Sequence, residues 1–180
     1  MKLRSLFLLV SVLFLTNCFP TQTSENNSIK QTELNYPQPI GWVNDFASTF
    51  TAEERAQLDS LLQDYSHQTT NQIVIVTLKE LPALKTIEEY TDELGDEWGV
   101  GLAEKNNGLV ILLSMKDREI RISTGDGTQE FVSDEFVETL IDSTMIPKFK
   151  DKKFYEGIWE GLQKIIQEWD KNQEVDSTKI

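Results

Sequence analysis

The chain has 180 residues, with 17 Lys and Arg against 30 Asp and Glu and a formal net charge of -13. That length allows one domain with tails, and 39% hydrophobic with 26% charged residues describes a folding chain rather than a disordered one. The acid excess excludes capture of nucleic acid by clustered cations, one cysteine excludes a disulfide framework and thiolate zinc sites, and one histidine removes most histidine-dependent hydrolytic arrangements.

Met1-Lys2-Leu3-Arg4 followed by the apolar run from Leu6 to Leu15 has the layout of a secretory signal. About ten helical residues span roughly 15 Å, half of a bilayer core of about 30 Å, so the run is too short for a stable anchor. It stops at Leu15-Thr16-Asn17-Cys18, which resembles the lipobox of bacterial lipoproteins. Residues 1–17 are therefore expected to be a lipoprotein signal peptide, and Cys18 the lipid-modified first residue of the mature chain. Cleavage there removes Lys2 and Arg4 and no acid, so the mature body is more acidic still and needs a covalent anchor to stay at an anionic membrane. Phe19, in place of the aspartate that retains enteric lipoproteins at the inner membrane, points to the outer membrane facing the periplasm. Residues 18–38, rich in Thr, Gln, Ser and Asn, read as a flexible tether.

The folded body is expected over residues 39–170, with 171–180 as a frayed tail. Thr51-Ala52-Glu53-Glu54 is a capping box, and Leu58, Leu61, Leu62 and Tyr65 recur behind it at helical spacing. Gln72 to Leu78 is a β-branched run of the kind buried on both faces of a sheet. Thr86 opens a second helix with the same box, closed by Gly99 and Gly101. Leu109 to Leu113 predicts a second buried strand, and Ile120-Arg121-Ile122 its hairpin partner after a turn at Met115–Arg118. Ser133 caps a third helix with Asp134 and Glu135 near its positive end, and Pro147 marks its end. A last helix runs from about Asp151 to Trp169. Helices before and after two buried strands imply an α/β fold, a three-layer α/β/α sandwich around a small mixed sheet.

Three polar clusters interrupt this pattern: Gly41 to Phe46, Lys105 to Gly108, and Ser123 to Asp134. The third is expected in a loop beyond a strand's carboxyl end, where open α/β sheets gather ligands. Asp126, Glu130 and Asp134, joined by Asp45 and the amide oxygens of Asn44 or Asn107, offer hard oxygen donors suited to Ca²⁺ or Mg²⁺. Plain turn chemistry explains the same residues without a metal. Asp126-Gly127-Thr128 matches half of the haloacid dehalogenase signature, but Thr124 stands where the nucleophilic aspartate belongs, which rejects that assignment. His67 reads as a helix-end or surface residue, and the pairs Asp92-Glu93 and Asp96-Glu97 as a solvated helix face.

Taken in order, these segments resemble the TPM domain family. Gly41 to Ala47 is similar to its "VNDxA" opening, and Glu97 to Gly101 with Asn106 to Leu109 to its "WGIG…NNGVL". Gly125 to Gln129 occupies the place of "GYGLE", Val132 to Asp134 that of "LTD", and Ile146 to Phe149 with Tyr155 to Ile158 resembles "I-P-x-F…Y-x-x-G-I". The resemblance implies the same sandwich in exported, often membrane-associated proteins that bind divalent cations, some plant chloroplast members being assigned acid phosphatase activity and photosystem II repair. It carries Asp45, Asp134 and the Asn106-Asn107-Gly108 loop over as family positions. Asp126 and Gln129 depart from the family's aromatic and glutamate.

Two functions follow as expectations. One is a tethered, non-catalytic module that binds a divalent cation and engages an envelope protein. The other is a metal-dependent phosphomonoester hydrolase, which lacks an evident nucleophile, base and anion cradle. The lipid assignment has a direct check: a palmitate analogue fed to expressing cells should label the wild-type chain and leave Cys18→Ala unlabelled, and equal labelling of both removes the anchor.

Overall fold

Burial of two aliphatic runs on both faces organises the protein. The computed structural model describes residues 36–177; Cys18, the leader, the tether up to residue 35 and the last three residues of the tail lie outside them. Gln72–Leu78 (β2) and Gly108–Ser114 (β3) pair in parallel, each almost wholly buried. Val43–Asp45 (β1) adds in parallel to β2, and Glu119–Thr124 (β4) adds antiparallel to β3, so the order is β1-β2-β3-β4. The period-2 alternation of a strand then divides the side chains between two faces.

Ile73, Ile75, Leu109, Ile111 and Leu113 point into the larger core. There they meet Leu58 and Leu62 of Ala52–Thr69 (α1) and Ile158, Leu162, Ile165 and Trp169 of the long C-terminal helix. The second face carries Val74, Val76, Val110 and Leu112 and is covered by Ile87–Trp98 (α2), whose Gly95 lies against Val110. The mixed sheet between two helical layers is the sandwich expected from periodicity. Both predicted capping boxes are formed, with Thr51 and Thr86 accepting from the amides of Glu54 and Glu89 while those glutamates reach back.

Three elements differ from expectation. The Gly-Asp-Gly-Thr stretch is not an open loop: Asp126–Gln129 (α3) winds into one helical turn. Pro147 does not end the third helix. Asp134–Leu140 (α4) passes into a π-turn over Ile141–Met145, in which the amide of Ile146 bonds to the carbonyl of Ile141, and Pro147 then opens Ile146–Lys150 (α5). In a helix's first turn a missing N–H is tolerated, so the register shift absorbs the proline.

The last helix is Phe154–Ser177 (α6) and runs through most of the segment expected to fray. Polar contacts hold that extension down: Asn172 donates to the carbonyl of Phe131 at 2.7 Å, and Asn71 donates to Gln173 at 3.4 Å. Trp169 is fully buried, edge-on to Tyr65 with ring centroids 6.2 Å apart, and its indole N–H has no acceptor among the described residues. Trp169→Ala should therefore cost about 3–5 kcal/mol in urea unfolding, and Trp169→Phe, which loses no hydrogen bond, distinctly less.

Candidate functional site

β4 runs antiparallel to β3, and that reversal decides where the polar clusters meet. Thr124 at its end pairs with Leu109, at the start of β3, and Gln72 at the start of β2 pairs with Gly108. The Gly125–Asp134 segment therefore follows the carboxyl end of β4 but, because β4 is antiparallel, lies beside the amino ends of β2 and β3. It packs there by backbone contact. The Gly108 carbonyl accepts both the Gly125 amide at 2.9 Å and the buried Thr128 hydroxyl at 2.8 Å. A Cβ on Gly125 would stand 2.3 Å from the Asn106 carbonyl oxygen, and one on Gly127 only 1.9 Å from that of Lys105.

Seated in this way, α3 presents Asp126 to a cleft of about 360 Å³ at the amino end of the sheet. Asp134 at the start of α4 faces the same cleft and accepts from the Gln129 amide at 2.7 Å. The opposite wall is α2, which contributes Asp92 and Asp96, one helical turn apart and so on one face. The Ser123 hydroxyl donates to Asp92 at 2.5 Å. Arg121 also lines the cleft, and its Nε is buried without an acceptor among the described residues.

The other expected ligands are elsewhere or already engaged. Asp45 is at the carboxyl end of β1, paired with Thr77. Thr77 and Gln72 are five residues of strand apart, about 16 Å, and β1 and β4 are opposite edges of the sheet. Asp45 and Asp126 thus cannot share an ion. The Asp45 carboxylate instead builds the turn into α1, accepting from the amides of Thr49 and Phe50 at 2.8 and 3.0 Å and from the Thr77 hydroxyl.

Asn44 is fully buried, its amide oxygen taking the Ile40 N–H and its nitrogen donating to the Gly41 carbonyl. The Asn107 amide accepts from Leu102 and donates to Thr70 and Asn71, tying three loops together. Glu130 is exposed and does not line the cleft. Of the six residues, only Asp126 and Asp134 converge. Asp92 and Asp96, expected as a solvated helix face, are indeed exposed and in addition line the cleft, for which their spacing of four on a helix was the available signal. Among the described residues no three His, Cys, Asp or Glu side chains form a group able to hold a metal ion, so a chelate is not preassembled.

A second and larger cleft, about 1200 Å³, opens at the carboxyl end of β3 between the α2 entrance, the β3–β4 hairpin and α5. At the hairpin, the Ser114 hydroxyl and the Leu81 amide hold the Asp117 carboxyl below the usual carboxylate range.

Comparison with known proteins gives one family. The TPM domain matches residues 43–168. Chloroplastic UPF0603 proteins of Arabidopsis thaliana and of Oryza sativa subsp. japonica are 20% and 21% identical over 130 and 129 residues, 72% of this chain. The aligned part is 46% and 43% of those relatives, so this chain spans under half of their length. Among solved structures, the N-terminal domain of a P. gingivalis protein superposes with a TM-score of 0.67 at 27% identity, covering 74% of this chain and 84% of that one. The BA42 protein of Bizionia argentinensis gives 0.59 at 21% identity, with 68% and 83% covered, a likeness of fold.

The contacts at Gly127 set a test of how the cleft is held. Gly127→Ala drives a methyl into the Lys105 carbonyl and should cost about 3 kcal/mol. Gly99→Ala meets no atom within 4 Å but holds a φ of +62°, and should cost nearer 1 kcal/mol in the same chemical-denaturation assay.

Proposed function

Because the chain belongs to the TPM domain family, we propose that it is a non-catalytic binding module of that family. It is exported, held by a lipid on Cys18 at the bacterial outer membrane facing the periplasm, and engages a protein of the envelope. One observation carries the non-catalytic reading: the make-up of the acidic cleft. Its walls offer Asp92, Asp96, Asp126 and Asp134 with no His, Cys or Lys among them. Ser123 leans on a carboxylate alone, which is too weak a base to activate a hydroxyl at neutral pH. Four aspartates also repel a phosphate monoester, against a single arginine.

The same carboxylates suit Ca²⁺ or Mg²⁺ as hard-oxygen donors. Drawn by exposed side chains rather than by a closed chelate, the ion binds weakly and with little choice between the two. Its effect is to relieve repulsion between α2 and the α3–α4 segment, which face each other across this cleft.

Titration of the full chain with CaCl₂ and with MgCl₂, followed by NMR, should move the amides of residues 92–96 and 123–134 in the roughly millimolar range typical of weak extracellular sites. The Asp126→Asn/Asp134→Asn pair should abolish those shifts, and p-nitrophenyl phosphate should not be turned over with either ion or with chelator. Metal-dependent turnover lost in the same pair would overturn the non-catalytic reading; unmoved amides would remove the cation.

A further inference from the structure

The large cleft at the carboxyl end of β3 has features the acidic cleft lacks. Its floor is apolar, built from Met115, Ile120, Ile146 and Phe149. The π-turn over Ile141–Met145 borders it and places Ile141 and Ile146 on its wall. One side carries Lys150 and Lys152 in a chain of net charge -13, and Lys148 and Lys153 lie beside them in the sequence. Lys148 and Lys153 are bound by Glu156, and Lys148 also by Glu160. Lys150 and Lys152, and Arg118 across the cleft, form no ion pair among the described residues, although all three are exposed. Glu88, Asp117 and Glu119 also line the cleft, so the attraction for acid is local to Lys150 and Lys152 on the α5 side and to Arg118 across it.

β4 enters the cleft at Glu119 and Ile120 and is an edge strand. Beyond its ladder with β3, the backbone of residues 119–124 makes no hydrogen bond among the described residues. An open edge is a template for another strand. We propose that this cleft docks an extended segment of a partner protein, whose backbone pairs with the free edge of β4 at Glu119 and Ile120. Its apolar side chains fill the floor and its acidic side chains meet Lys150, Lys152 and Arg118. This inference rests on the binding-module reading and names the site and the chemistry of the partner. A bilayer fits less well, because lipid cannot satisfy the β4 edge and an anionic surface repels so acidic a body.

Fluorescence anisotropy with the purified full chain tests it, using a fluorescein-labelled octapeptide that alternates valine with glutamate and a control that alternates valine with lysine. The acidic peptide should bind saturably and the basic one should not. Lys150→Glu/Lys152→Glu should weaken binding about tenfold or more, at an unchanged melting temperature because neither lysine is buried or paired. Equal binding of both peptides, equal binding to wild type and the double variant, or no saturable binding overturns the proposal. So does sedimentation with phosphatidylglycerol vesicles that the double variant loses while no peptide binds, which would assign the cleft to membrane. Cation shifts at residues 92–96 and 123–134 report separately on the acidic cleft, so peptide failure with those shifts intact sinks only this inference.

Discussion

The acidic end of the molecule depends on one close backbone contact, the seat of the Gly125–Gln129 turn on the Lys105–Gly108 loop. The Gly108 carbonyl serves two donors there, the Gly125 amide and the Thr128 hydroxyl. Neither bond could form with bulk in between, and the carbonyls of Lys105 and Asn106 leave room for hydrogen alone at positions 127 and 125. Asn107 extends the same anchorage to Thr70, Asn71 and Leu102. Polar residues that resemble ligands in the sequence thus hold loops together, and the orientation of Asp126 follows from that frame.

The antiparallel β4 gives the two ends of the sheet different chemistry. By returning the chain to the amino ends of β2 and β3, it brings Asp126 and Asp134 opposite α2. The hairpin that starts it, with α5, is left to shape the carboxyl-end cleft. One end therefore gathers aspartates and the other an apolar floor with cations that form no ion pair among the described residues. The two concavities thus differ in chemistry: Asp92, Asp96, Asp126 and Asp134 line the first, whereas the second sets Lys150, Lys152 and Arg118 beside Glu88, Asp117 and Glu119 around apolar side chains. Asp45 illustrates the cost of reading ligands from residue type alone: its carboxylate is already saturated by the turn it builds.

Much of the fold was legible because it follows from local rules. Capping boxes at Thr51 and Thr86, β-branched runs in β2 and β3, and the apolar stripes of α1, α2 and α6 are consequences of backbone geometry and period. Pro147 misled because a proline's effect depends on helix register, which the π-turn had already shifted. The extension of α6 past Trp169 was hidden because its support is distant: the carbonyl of Phe131 and the side chain of Asn71 meet Asn172 and Gln173 only in the fold.

From residue order alone came the sandwich class, the family likeness from Gly41 to Ile158, and the excess of acid, since these rest on spacing and composition. Strand direction at β4 was decided by tertiary pairing, and with it which carboxylates are neighbours. The physical reason is one of range: a helix or strand is specified over a few residues by sterics and hydrogen bonding, whereas a cleft is made by groups that approach only after the sheet has closed. Asp92 and Asp126, 34 positions apart, share walls because α2 packs across β3 and β4, and Asp45 is excluded because strands keep their length.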